Sequence, residues 1–205
     1  MTIGNVSAKY SNQWDAILFF TAGIFMLANV MFLWIRVSSD FKLSILWAAI
    51  PGIIGFTASV FGLLKLYPRI SSEKPWLARS GAGFALAAGT ALFIAALWIL
   101  GTSIFAGGIS GSPPSAVLAL IGIFIVSMVI AFICNAAAFL MVSSLRNIGY
   151  LLMVPVASWA LMLIVGVIKG LEAGISLDLY TNGLIAVAFF SIGVLLRKHQ
   201  RNVAS

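Results

Sequence analysis

The amino-acid sequence predicts an all-α, polytopic membrane bundle of six transmembrane helices, with both termini cytoplasmic, in one domain over residues 1–205. Three observations carry that reading. The chain is 62% hydrophobic and only 8% charged, whereas a soluble domain is roughly 45–50% apolar and about 25% charged. Its apolar residues fall in runs close to the roughly 20 residues that a helix needs to cross the hydrocarbon core. Its basic residues lie between those runs or at their ends.

The runs are taken in order. The first covers about 14–35 and ends at Arg36, and the second covers 43–64, closed by Lys65, Tyr67, Pro68 and Arg69. The third covers 80–100, the fourth 116–142, the fifth 148–168 and the sixth 179–196. No charge occurs from Ser80 through Leu145, a stretch too long for one crossing at about 1.5 Å per residue. It divides at Gly101-Thr-Ser and at 106–115, where Gly, Ser and a Pro pair mark a loop. The first run is longer than a cleavable signal's apolar core and has no small-x-small cleavage site, so it reads as a retained span.

Orientation follows from the bias of Lys and Arg toward cytoplasmic loops. With six spans, one side collects Lys9, Lys65, Arg69, Lys74, Arg79, Arg146, Arg197, Lys198 and Arg201. The other side holds Arg36, Lys42 and Lys169. Nine against three places both termini in the cytoplasm and the protein in the cell membrane. Trp14, Trp34, Trp47, Trp76 and Trp98 sit near span ends, at the headgroup layer that amphipathic rings prefer. Trp159 falls within the fifth span and reads as an internal packing residue.

Hydrocarbon gives helices little reward for burying apolar side chains against each other, so small residues decide where they pack. Gly81, Ala85 and Gly89 form such a face on the third span, which is small nearly all round and therefore reads as enclosed by neighbours. The second span carries Gly52, Gly55, Ser59 and Gly62. The sixth has fewer small residues and is expected at the periphery. Pro51 and Pro155 lie inside the second and fifth spans, where each removes a backbone donor and favours a kink.

Chemistry is mostly excluded. Asp15, Lys65, Lys169 and Asp178 stand at span ends, within reach of water, and no ionisable residue sits at mid-membrane. The single histidine, His199, and the single cysteine, Cys134, leave no ligand set for haem, a metal centre or a disulfide. No GxSxG, HExxH or phosphate-binding glycine loop occurs. No cofactor and no nucleic-acid partner are expected. The polar residues within spans include Asn29, Asn135, Thr57, Ser59 and Ser158. They either hydrogen-bond between helices or line a path for a small permeant.

One pattern hints at two halves. Pro51, Gly62 and Lys65 match Pro155, Gly166 and Lys169 at a constant offset, and Asn29 matches Asn135 nearly so. A three-plus-three inverted repeat would produce this, as in many transporters. The third and sixth spans match poorly.

Two segments resemble small multi-span membrane proteins of archaea, of the haloarchaeal type. They are Leu66-Tyr-Pro-Arg69 with Pro75-Trp-Leu-Ala-Arg79, and Asp178-Leu-Tyr-Thr-Asn-Gly183 with Leu195-Leu-Arg197. They cover about a fifth of the chain, and the resemblance implies a membrane protein without assigning it an activity. The sequence thus points first to a non-catalytic accessory or structural subunit, whose partners are the bilayer and other membrane subunits. A small transporter or channel between two three-helix halves is the alternative. A lipid-handling enzyme acting through the Lys65–Arg79 loop is a third reading.

Overall fold

The computed structural model describes residues 3–40, 42–105, 114–142, 145–170 and 177–204. It is all-helical, with six helices: α1 (Ile3–Ser38), α2 (Leu46–Ile70), α3 (Pro75–Phe105), α4 (Ser115–Leu140), α5 (Arg146–Lys169) and α6 (Asp178–Ala204). Each is long and apolar enough to cross a membrane. The helices overrun the predicted spans at several ends. Helix α2 continues through Pro68 to Ile70, and α3 starts at Pro75 and carries Gly101, Thr102 and Ser103 in helical conformation. Gly101-Thr-Ser is therefore not loop. Of the Gly-Ser-Pro loop expected at 106–115, residues 106–113 lie outside the described residues, and Ser115 already begins α4.

The helices form a closed ring in chain order, with α6 returning to α1, and α2 also touches α4 across the ring. The ends of α1 and α6 that lead to the chain termini share one end of the bundle, here called the terminal end.

Backbones approach closely where glycine leaves room. On α2, a Cβ at Gly62 would lie 2.9 Å from the Phe19 ring, and one at Gly55 would lie 3.0 Å from Met26, so this face seats α1. Helices α1 and α6 interlock reciprocally. A Cβ at Gly23 would lie 3.0 Å from the Phe190 backbone nitrogen, and one at Gly193 would lie 3.0 Å from the Phe20 ring. At the turn from α4 to α5, a Cβ at Gly149 would lie 2.9 Å from the Leu140 backbone nitrogen and 3.0 Å from the Ala136 carbonyl.

These contacts correct the expected ranking of helices. In α2 and α6, 50% of the most apolar stretch is buried, against 33% in α3. Helix α3 is not enclosed. Its neighbours α2 and α4 touch one another, so α3 lies in the groove outside them and leaves Leu86, Phe93 and Leu97 exposed. Its small face does pack: Gly81 abuts Asn135 and Cys134 of α4, Ala85 is fully buried, and a Cβ at Gly89 would lie 3.1 Å from Val60 of α2. Helix α6 is central despite its few small residues, because one glycine at each crossing point suffices.

The middle of the ring is filled with aromatic side chains. Trp159 lies 5.7 Å from Phe56, 6.4 Å from Phe124 and 6.2 Å from Phe132, centroid to centroid. Phe132 stacks on Phe189 at 5.9 Å, and Phe189 tilts against Phe19 at 6.0 Å. The chain of rings therefore joins α1, α2, α4, α5 and α6. Offset and edge-to-face geometry of this kind adds about 0.5–1.5 kcal/mol per pair beyond burial. Pro51 and Pro155 are both buried in helix interiors, and the helices continue past them. Beyond Trp159, none of the last ten residues of α5, Ala160–Lys169, is buried.

Glycine substitutions should separate tight from open positions. Gly149→Ala meets backbone atoms and should destabilise the folded protein by about 1–3 kcal/mol. Gly122→Ala, in helical conformation with open space around it, should be neutral or stabilise by up to about 1 kcal/mol. Equilibrium unfolding in mixed micelles measures both.

Candidate functional site

The polar groups inside the bundle collect in three places. The first joins α1, α2 and α6 near the end opposite the termini. Asn29 is buried on α1, and its Nδ2 donates to the Ala48 carbonyl of α2 at 2.8 Å. Pro51, three residues further on, has no N–H to offer the preceding turn. The carbonyl deprived of that donor is that of Trp47, and Asn29 bonds the next one along the same turn, that of Ala48. Gly52 makes the approach feasible, since a Cβ there would lie 3.0 Å from the same nitrogen.

Asn29 also accepts. The Nδ2 of Asn182 on α6 donates to Asn29 Oδ1 at 3.2 Å and to Asp178 Oδ1 at 3.0 Å. Beside it, Thr181 is buried and its hydroxyl donates back to the Leu177 and Asp178 carbonyls, both at 3.1 Å. Neither Asn182 nor Thr181 stands out in the sequence, because both lie in the first turn of the predicted sixth span (179–196), where polar side chains are ordinarily solvated. The signal that could have found them is Asp178 and Asn182 at a spacing of four, which stacks two polar side chains on one helix face.

The second place is an ion pair near the terminal end. Arg69 of α2 donates from Nε to Asp15 Oδ2 of α1 at 2.9 Å, and its Nη2 lies 2.8 Å from the same oxygen. The Asp15 side chain is only 3% exposed and that of Arg69 15%. This corrects the expectation that Asp15 reaches water at its span end. Helix α2 runs six residues past the predicted boundary and brings Arg69 over the carboxylate.

The third place is Asn135 on α4. It is buried against Gly81, whose absent Cβ would come within 2.6 Å of its Nδ2. That nitrogen donates to the Ala131 carbonyl of its own helix at 2.8 Å. Asn29 and Asn135 are therefore not brought together; they face different neighbours toward opposite ends of the bundle.

The remaining candidates also disperse. Ser59 is buried, and its hydroxyl donates to the Phe56 carbonyl at 2.8 Å. Ser158 is buried beside Trp159 in sequence. Thr57 is exposed on the outer surface of α2 and lines nothing inside. Among the described residues no group of three or more His, Cys, Asp or Glu could hold a metal ion. The single cysteine, Cys134, is half-buried beside Gly81. No protein-family model, curated relative or solved structure matches the chain.

Chemically, these groups can tie helices together. Each amide and each charge is engaged by another part of the chain. The rings of Phe56, Phe124 and Trp159 occupy the middle, where a polar path between halves would have to run.

Two predictions follow the geometry. Asn29→Leu removes two interhelical bonds and should cost about 1–3 kcal/mol, whereas Thr57→Val should change stability by no more than about 0.5 kcal/mol. Unfolding titrations in micelles compare the two. The ion pair should respond asymmetrically. Arg69→Gln strands a buried carboxylate and should cost about 3–5 kcal/mol. Asp15→Asn should cost less, because a lone Arg69 can extend toward the headgroups. The double substitution should recover much of the Arg69→Gln loss.

Proposed function

We propose that the protein is a non-catalytic membrane subunit, a helix bundle with a structural or accessory role, and that it does not conduct a solute. The observation that carries this reading is the aromatic chain across the middle of the ring. Phe56, Phe124, Phe132 and Trp159 interlock where two three-helix halves would have to part. A permeation path needs polar groups free to exchange partners with a passing solute. Asn29 and Asn135 are committed instead to the Ala48 and Ala131 carbonyls.

The reading extends to placement. The nine-to-three bias of basic residues supports cytoplasmic termini. Reporter fusions at the C-terminus and at the 171–176 segment test it, and activity of the cytoplasmic reporter only at 171–176 would reverse the orientation.

Purification from native membranes at native abundance tests the role. A stoichiometric membrane partner that in turn co-purifies this chain is expected. A chain that always purifies alone would overturn the subunit reading. Proteoliposome flux assays address the competing reading. The wild-type chain should leave solute leakage at the protein-free level. Flux that is lost in a folded Asn29→Leu variant would establish the small-transporter reading in its place.

A further inference from the structure

The charges at the terminal end are distributed unevenly around the ring. On the side of α1 and α2, Asp15 neutralises Arg69. On the side of α3, α4 and α5 the nearest acidic residue is Glu73, exposed in the turn before α3, and none occurs from there to Glu172. Arg79, one turn into α3, and Arg146, the first residue of α5, are both exposed. Helix α4 packs between α3 and α5 and bears no charge at all.

The surroundings of the two arginines are those of a membrane interface. Trp76, on the first turn of α3, is 81% exposed, and Tyr150, on the second turn of α5, is 53% exposed. The Arg146 guanidinium lies over the Tyr150 ring, 5.7 Å from its centroid, so it is held against α5 instead of extending freely. On α4, which packs between the helices of the two cations, Ile133 is exposed, as is Met141 just past its end. Cations at headgroup level, rings beside them and an uncharged helix face between them complement a molecule with an anionic head and apolar tails.

We propose that this flank of α3, α4 and α5 selectively binds anionic phospholipid from the adjoining leaflet, with Arg79 and Arg146 supplying the charge. The acyl chains lie along the exposed apolar surface of α4. Trp76 and Tyr150 mark the headgroup layer. The opposite flank of the same end, which carries Arg197 and Lys198 on α6, is also basic, and a merely diffuse attraction would involve both flanks equally. Selectivity for the α3–α4–α5 flank is what distinguishes the proposal from the general bias of basic residues toward one side.

The test uses the full chain in neutral-detergent micelles, titrated with phosphatidylglycerol or phosphatidylcholine and followed by thermal unfolding and native mass spectrometry. Phosphatidylglycerol should raise the unfolding midpoint with concentration and remain bound, and added salt should weaken both effects. Each of Arg79→Gln and Arg146→Gln should weaken its retention about fivefold. Arg197→Gln/Lys198→Gln should weaken it by less than either. All variants should unfold like the wild type in phosphatidylcholine, which keeps a folding defect separate from a binding defect. Equal stabilisation by the two lipids, or by inorganic phosphate alone, would overturn the proposal. So would equal loss from the two pairs of substitutions.

Discussion

Two helices in hydrocarbon gain little by hiding apolar side chains from a solvent that is itself apolar. They hold together where backbones come close enough for dense packing, and where a polar group finds its partner on another helix. Helix α1 meets both conditions on two sides, and the rest of the ring is arranged around it. The glycines of α2 seat Phe19 and Met26, while Gly23 and Gly193 let α1 and α6 lock into each other. Near one end of this three-helix group, Asn29 bonds both neighbours; near the other, Asp15 holds Arg69. A helix tied at both depths to two neighbours fixes their relative height and rotation.

The other half of the ring is built differently. Among α3, α4 and α5 the close contacts are Gly81 with Asn135 and Gly149 with the Leu140 backbone, and the Asn135 amide bonds within its own helix. Their link to the first group is the aromatic chain through Phe56, Phe124, Trp159, Phe132 and Phe189. Large rigid rings fill a wide ring of helices at low conformational cost, since each has only two rotatable bonds. They also make the centre apolar. Packing and an apolar centre thus come from the same side chains, which supports the proposed subunit reading over a pathway.

Much of this was legible in the sequence, and the exceptions have a common cause. Composition, run length and charge spacing concern the chain against its solvent, so the six membrane helices and the single bundle follow from them. Which face of a helix meets which neighbour concerns the chain against itself. Helix α3 is small nearly all round, and that pattern signals enclosure only if neighbours stand on every side; here α2 and α4 touch, and Leu86, Phe93 and Leu97 of α3 face outward. Helix α6 has few small residues, but Gly193 falls at the crossing with Phe20. Thr57 and Ser59 are two residues apart, so about 200° of helical rotation sends one to lipid and the other inward. Asn182 and Asp15 were hidden by position, since a polar residue near a span end is ordinarily solvated. Asp15 is buried only because α2 runs on to Arg69.

The matched prolines and asparagines of the two halves bear on whether a repeat governs the architecture. A ring in chain order maps onto itself when its halves are exchanged, so α1 corresponds to α4 and α6 to α3. Asn29 and Asn135 do occupy corresponding helices. Their bonds differ, however. Asn29 spans to the turn before Pro51 and to Asn182, while Asn135 turns back to Ala131 on its own helix. The partner that the exchange would require on α3 is replaced by Gly81, which has no side chain to offer. Among the described residues the side-chain cross-ties centred on Asn29 join α1 to α2 within one half and to α6 of the other, while the α3–α4 contact rests on glycine. Whatever the origin of the sequence match, the forces holding the two halves are not symmetric, and a rocking motion of equivalent halves would have to break bonds on one side that have no counterpart on the other.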